Sequence, residues 1–307
     1  MLCAGGVVYA YHSSGIIDHF LFAIASPVLV DPSRGAPTMS WAKRPQSVCL
    51  FEVDGAVNYG FKWVVVDQVD YYNLSDAISM SYQADDLTEL QQYSACDISD
   101  ALLKLKVPGA GFVADLNPYS FLKGDATSVT VAPVSTVLFA PKGQDLLETQ
   151  KNIPEGTHWA DLTEAETIVV LKQPDGQKNA VCGGIMAVRM KMCQAKGIVV
   201  AGRVRDIQEL KSTSLPIWAR GLSTVGVGGG SVPWAIQVPL DIDGTRVCPG
   251  DLAFSDPING VVVIPQDKVS AVLELLPKLT AADDKIKEDV IRGATVYESF
   301  KLHRSSL

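Results

Sequence analysis

The sequence predicts an α/β fold, and three observations carry that expectation. β-branched apolar runs of strand length recur along the chain, among them SVTVAPVSTVLFA (128–140), TIVVLKQ (167–173) and GVVVIP (260–265). Segments with apolar residues at helical spacing alternate with these runs, and two helical patterns, Gln266–Leu279 and Asp283–Phe300, close the chain. Finally, 307 residues of which 47% are hydrophobic suffice to bury a substantial core.

Residues 1–84 mix apolar, aromatic and turn residues without sustained periodicity, and are expected to be an atypical extension. The expectation is that they are poorly ordered or stem from a mistaken start, with Met80 as the alternative initiator. His19–Val30 is apolar apart from His19 and Ser26, but its 12 residues fall short of the roughly 20 that cross a bilayer, and Pro27 interrupts it. No basic segment precedes it and the start is poor in arginine, so neither a secretory signal nor a mitochondrial presequence is expected; the cytoplasm is the default.

Residues 85–307 carry the informative stretch. TIVVLKQ reads as a strand closed by the turn residues Pro174, Asp175 and Gly176. Gly183 and Gly184 then open a helix, with Ile185, Val188, Met192 and Ala195 at helical spacing and Gly197 in the place of a C-cap glycine. Ile198–Ala201 reads as a buried strand whose end carries Gly202, Arg203, Val204, Arg205 and Asp206. Ligands gather outside the carboxyl ends of strands in such sheets, so helix start and strand end are expected to face one cleft.

The chemistry of that cleft follows from the residue types. A helix start has unpaired N–H groups and a partial positive charge, and glycines there let a carboxylate reach the backbone. Arg205 offers a permanently charged fork for a second carboxylate contact, and Asp206 a hard oxygen suited to Mg²⁺. One carboxylate holds magnesium weakly and leaves positions for water and a chelating 2-oxo acid. Taken singly, a glycine pair is more often a turn and an Arg-Asp pair more often a solvated ion pair; it is their order along the chain that favours a site.

GG-x(20)-RD, with GIVV-x-GRVRD ahead of LPIWARG, resembles the RraA-like family, which includes the 4-hydroxy-4-methyl-2-oxoglutarate aldolases. The similarity begins near Leu87, takes in CDISDALLKL (96–105) and VCPGDLAFSDPINGVVVIP (247–265), and covers roughly 220 residues. The resemblance implies a swivelling β/α/β sandwich with C-terminal helices, assembled as a homotrimer or homohexamer with sites at subunit boundaries. It implies a Mg²⁺- or Mn²⁺-dependent lyase that cleaves 4-hydroxy-4-methyl-2-oxoglutarate to pyruvate and decarboxylates oxaloacetate. By position, Gly183, Gly184, Ile185 and Met186 would hold the substrate carboxylate, Arg205 its oxygens and Asp206 the metal, with a metal-associated water accepting the proton. Two departures from the family pattern bear on substrate identity. Gly184 stands where many bacterial aldolases carry an acid near metal-bound waters, and Ala201 where many relatives have Asp before the glycine. The family also holds protein-binding regulators of ribonuclease activity; Asp206, an acid after the arginine, favours the enzyme over that alternative.

Other chemistries find less support. Lys172 and Lys196 are the candidates for a Schiff base, but one ends a strand and the other sits in a last helical turn, where both are expected to be solvated. VGVGGG (225–230) precedes the strand-like WAIQVPLDI and not a helix, so it is read as a flexible loop near the site entrance, not a nucleotide loop. A net charge of -8 without a basic patch disfavours nucleic acid. The six cysteines and four histidines lack zinc-ligand spacing, and the cysteines suggest a reducing compartment.

Overall fold

The computed structural model describes residues 82–121 and 127–305, together with the backbone of four strands nearer the N-terminus. The chain divides into two compact units, Met1–Ser79 and Met80–Leu307. In the first, β1 (Val8–Tyr9) pairs antiparallel with β2 (Leu21–Phe22), and β3 (Ser47–Asp54) with β4 (Asn58–Val65). The sequence reading assigned no element here; its expectations of poor order over 1–84, for His19–Val30 and for a start at Met80 concern residues largely outside the described ones.

The second unit opens with α1 (Ala84–Leu90) and α2 (Ala95–Lys104), followed by the short strands β5 (Phe112–Val113) and β6 (Asn117–Ser120). Its centre is the twelve-residue β7 (Thr130–Pro141). The chain continues through β8 (Ile168–Lys172), α3 (Gly184–Met192), β9 (Gly197–Val204), α4 (Ile207–Ser212), β10 (Ile217–Leu222) and β11 (Ser231–Ile236). It ends with the hairpin β12 (Leu240–Ile242) and β13 (Thr245–Val247), then β14 (Leu252–Asp256), β15 (Gly260–Ile264), α5 (Val269–Ile291) and α6 (Val296–His303).

The sheet order is β5-β15-β14-β7-β8-β9-β10-β6, with β11 also on β7. β7 is long enough to serve three neighbours. Its first residues pair antiparallel with β14 (Ala132 opposite Ala253), its middle runs parallel to β8 (Val134 opposite Ile168), and its end pairs antiparallel with β11 (Phe139 opposite Pro233). β8, β9 and β10 continue the parallel part through helical crossovers that cover one face of those strands, while the β12–β13 hairpin covers the other. On one face Val169, Leu171, Ile198 and Val200 meet Ala187 and Met190 of α3 and Leu210 of α4. On the other, Ile168, Val170, Val199 and Ala201 meet Leu240, Ile242 and Val247 of the β12–β13 hairpin. A further cluster packs Leu90, Ile98, Leu102 and Leu276 on Phe254 and Val262. Each such buried aliphatic side chain contributes roughly 1.5–3 kcal/mol.

Several expectations are corrected. The apolar residues noted at helical spacing do not share one buried face: Ile185 is 75% exposed and Met192 69%, Ala195 is buried beyond the end of α3, and Gly184, Ala187 and Met190 form the helix's buried face. Gly197 is not a C-cap; α3 ends at Met192, Gln194 takes the left-handed conformation (φ 66°), and Gly197 starts β9. Gly197 packs closely, since a Cβ there would meet Pro216 Cγ at 3.2 Å and Ile168 Cγ1 at 3.3 Å. WAIQVPLDI is not one strand, because the backbone breaks at Gln237 (φ 51°) between β11 and β12. The two terminal helical patterns also divide elsewhere, with α5 running unbroken for 23 residues through Pro277. Burial of Val272, Leu276 and Leu279 around that proline outweighs its cost of about 3 kcal/mol.

Candidate functional site

Backbone pairing beyond the end of β8 brings the glycine pair to the Arg-Asp pair. The stretch before α3 runs alongside the end of β9: Val181 N–H donates to Arg203 O (2.9 Å), Arg205 N–H donates to Cys182 O (3.1 Å), and Cys182 and Val204 form a parallel bridge. Gln173 fastens this arrangement from beneath. Its buried amide donates to Asn179 O (2.6 Å) and accepts from Arg203 N–H (2.9 Å). Gly202 gives it room, for a Cβ there would lie 2.4 Å from Gln173 Oε1. The sequence reading missed Gln173, whose role depends on two backbone segments meeting around it.

Asp206 sits in the left-handed conformation (φ 61°) as the N-cap of α4, a conformation that Asp tolerates better than most residues. Its Oδ2 accepts from Gly184 N–H at 3.4 Å and lies 3.3 Å from Arg205 Nε. The side chains of Arg205 and Asp206 lie against Gly183, where a Cβ would come within 2.7 Å of Asp206 Oδ2 and 3.1 Å of Arg205 Cγ. With side-chain exposures of 44% and 40%, the ion pair adds little stability and both groups remain open to a ligand. Ile185 and Met186 follow in the first turn of α3, where amides lack intrahelical acceptors. The Ile185 side chain points outward and that of Met186 packs on the core. The six residues singled out from the sequence (Gly183, Gly184, Ile185, Met186, Arg205 and Asp206) thus lie together.

Two neighbours complete the arrangement, and neither was singled out as a site residue. Glu209, on the first turn of α4, lies over Gly184 so closely that a Cβ there would meet its Oε2 at 1.8 Å. Gly226 lets the loop after β10 approach the guanidinium, since its Cβ would meet Arg205 Nη1 at 2.9 Å. That loop, read from sequence as flexible, is tethered: Ala180 N–H donates to Val225 O (2.7 Å), Gln177 Nε2 to Gly230 O (2.6 Å) and Asn179 Nδ2 to Ser231 Oγ (3.0 Å).

Burial, then the charge of Asp206, pushes the Cys182 thiol up to about 12, so this cysteine stays protonated and is not a nucleophile. Lys172 is not solvated as expected; its side chain is only 12% exposed and pairs with Asp175 (2.5 Å). Lys196 lies beyond the end of α3, not in its last turn, and pairs with Glu166 (2.8 Å). Ala201 packs in the cluster on the face away from α3, so its departure from the family pattern does not touch the site. Among the described residues no three His, Cys, Asp or Glu side chains are grouped to hold a metal. A carboxylate beside a helix start, cradled on glycine, fits a hard cation that keeps most of its water.

Among the described residues no helix is long and apolar enough to cross a membrane. The chain is 32% identical over 124 residues to a protein of Halalkalibacterium halodurans named "Putative 4-hydroxy-4-methyl-2-oxoglutarate aldolase", a match covering 40% of this chain and 58% of that one. It is 24% identical over 213 residues to protein DlpA of Legionella pneumophila, covering 69% of this chain but only 33% of DlpA. The chain therefore spans between a third and about three fifths of the length of these curated relatives. Among solved structures, an uncharacterized protein from Pseudomonas syringae pv. tomato shares the fold at a TM-score of 0.56 and 24% identity, over 71% of this chain and 97% of that one. Streptomyces coelicolor RraAS2, described as an unusual member of the RNase ES inhibitor RraA protein family, does so at 0.52 and 22%, over 69% and 98%. The family described as RraA-like, Aldolase/RraA, matches residues 95–263, a span running from α2 to β15 that includes the glycine-opened helix and the Arg205-Asp206 strand end. With more than half of its length so matched, the chain belongs to the RraA-like family.

Proposed function

We propose that this protein is a divalent-cation-dependent carbon–carbon lyase that cleaves 4-hydroxy-4-methyl-2-oxoglutarate to pyruvate and decarboxylates oxaloacetate. The observation that carries the reading is the convergence of an uncapped helix start, a half-exposed guanidinium and a half-exposed carboxylate at one strand end. The name of the Halalkalibacterium relative supports it.

In this reading the Gly184, Ile185 and Met186 amides and the dipole of α3 receive the substrate carboxylate, approached across Gly183. Arg205, held between Gly183 and Gly226, orients the substrate oxygens with its fork. Asp206 would hold Mg²⁺ or Mn²⁺. Both reactions break a carbon–carbon bond and leave the electron pair on C3 of a pyruvyl unit, and a cation bound there would stabilise the resulting charge on oxygen.

Pyruvate release from both substrates, with and without EDTA, tests this. Chelation should abolish turnover, and Asp206→Ala and Arg205→Ala should each lose most of it. Full metal-dependent activity in either variant refutes the assigned roles. No turnover in the wild type on either substrate favours the other reading, a protein-binding regulator, which the description of Streptomyces RraAS2 supports. The outward apolar face of α3, with Ile185, Val188 and Met192, supports a homotrimer or hexamer in either case.

A further inference from the structure

A long arginine side chain beside an exposed ion pair needs something else to fix its direction. For Arg205 that support comes from two glycines. Gly226 lies along the guanidinium, where a Cβ would stand 2.9 Å from Nη1, 3.3 Å from Cζ and 3.6 Å from Nη2. Gly183 lies nearer the root of the side chain, where a Cβ would stand 3.1 Å from Cγ and 3.3 Å from Nε. The aim of the fork therefore depends on where the chain holds these two backbone segments.

Both segments are fastened at Asn179, which is only 5% exposed. Its side-chain amide donates to Val227 O (3.4 Å) and to Ser231 Oγ (3.0 Å), and the neighbouring Ala180 N–H donates to Val225 O (2.7 Å). Residues 179 and 180 thus grip the loop on either side of Gly226. Gly230 leaves room for the amide, since a Cβ there would lie 2.7 Å from Asn179 Oδ1. In the other direction Asn179 O accepts from Gln173 Nε2, and Gln173 Oε1 takes the N–H of Arg203, two residues before Arg205. The tethers from Gln177 Nε2 to Gly230 O and from Lys142 Nζ to Gly228 O act farther along the loop and do not bracket Gly226.

We propose that Asn179 is a positioning residue for Arg205: its buried amide holds Gly226 against the guanidinium and so aims the fork at the substrate oxygens. The aim at substrate rests on the lyase reading, and the seating of the side chain does not. An amide that merely satisfied loop carbonyls would affect stability and leave Arg205 unmoved.

Two readouts on the full-length protein test this, paired with thermal melts. One is the rate at which phenylglyoxal modifies Arg205, followed by peptide mass spectrometry with Arg304 as internal reference. The other is the division of effects between KM and kcat on oxaloacetate. We expect Asn179→Ala to speed modification of Arg205 about tenfold and to raise KM about tenfold, with kcat within about twofold of the wild type. Arg304, paired with Asp100 and Asp283, should react at its wild-type rate. Adding Gly226→Ala to Asn179→Ala should worsen neither quantity, because both changes act through one contact. Ser231→Ala, which removes a single oxygen, should show the same pattern at about threefold, and it decides the matter if Asn179→Ala does not fold. An earlier melt with wild-type modification rate and KM overturns the proposal, and so do additive effects in the double variant. Faster modification of Arg205 in Asn179→Ala, in a protein whose wild type turns over neither substrate, overturns the lyase reading and leaves the seating of Arg205 standing.

Discussion

α2 and α3 both begin next to an aspartate contributed by a distant part of the chain, yet their first turns are finished in opposite ways. At α2, Ser94 Oγ accepts from Asp97 N–H (3.3 Å), Asp97 Oδ2 accepts from Ser94 N–H (2.8 Å), and buried Asp256 takes Ala95 N–H (2.9 Å). Asp256 also accepts from Ile258 N–H (2.8 Å) and Asn259 Nδ2 (2.7 Å). That start is closed, with the Ala95 and Asp97 amides taken up by side chains and Asp256 out of solvent. At α3, Gly183 supplies no capping side chain, and half-exposed Asp206 reaches only Gly184 N–H, at 3.4 Å. The difference teaches what turns a helix start into a candidate site: donors left unsatisfied by the protein, next to charges that solvent and ligand can reach.

That contrast predicts that the two aspartates fail differently when replaced. Asp206→Asn, which keeps a residue tolerant of positive φ, should reduce lyase turnover about a thousandfold, or about 4 kcal/mol, with little change in thermal midpoint. A large loss of stability there would make α3 another closed cap. Asp256→Ala should do the reverse and cost about 3 kcal/mol in a denaturant melt, because several donors lose a buried acceptor, while cation affinity stays at the wild-type value.

The closed cap should also show in the pH dependence. Burial alone would raise the carboxyl of Asp256, but hydrogen bonds from Ala95, from the Asn259 side chain and from the Ile258 and Asn259 amides hold it below its ordinary value. Its stabilisation is therefore present above the unfolded value of about 3.9 and is lost as pH falls through the lower folded value. The midpoint gap between the wild type and Asp256→Asn should be constant near neutrality and close below about pH 4. A gap that widens in acid would contradict this.

Smaller effects sharpen the comparison. Gly226→Ala should push the Arg205 guanidinium aside and raise KM about tenfold, roughly 1.4 kcal/mol, with kcat nearly unchanged. Ser94→Ala should cost about 1 kcal/mol of stability and leave turnover alone. Sensitivity of turnover to Ser94 would mean that the two helix starts are coupled.

The strands of the parallel core were legible in the sequence because burial on both faces demands unbroken β-branched runs, as in Ile168–Leu171 and Ile198–Val200. The outward face of α3 was not, because apolar spacing marks a stripe without saying what covers it. Nor was the continuity of α5, which runs unbroken through residues 280–282, where the apolar pattern divided the terminal helices, because burial of Leu279, Ala282 and Ile286 on either side of that gap carries the helix on. Among the site residues, Gly183, Gly184, Arg205 and Asp206 could be found as two short motifs in a telling order. Gln173, Glu209 and Gly226 could not, because a lone polar residue or glycine acquires its role only from a neighbour across space.

By itself, then, the amino-acid order determined the α/β alternation, the family and the pair of motifs, since each is written in local residue types and their spacing. Only the tertiary structure decided which groups meet at the start of α3 and which face of that helix is left open. Those are matters of distance between segments, and they were settled by the pairing of residues 181–182 with the end of β9 and by the left-handed turn at Asp206.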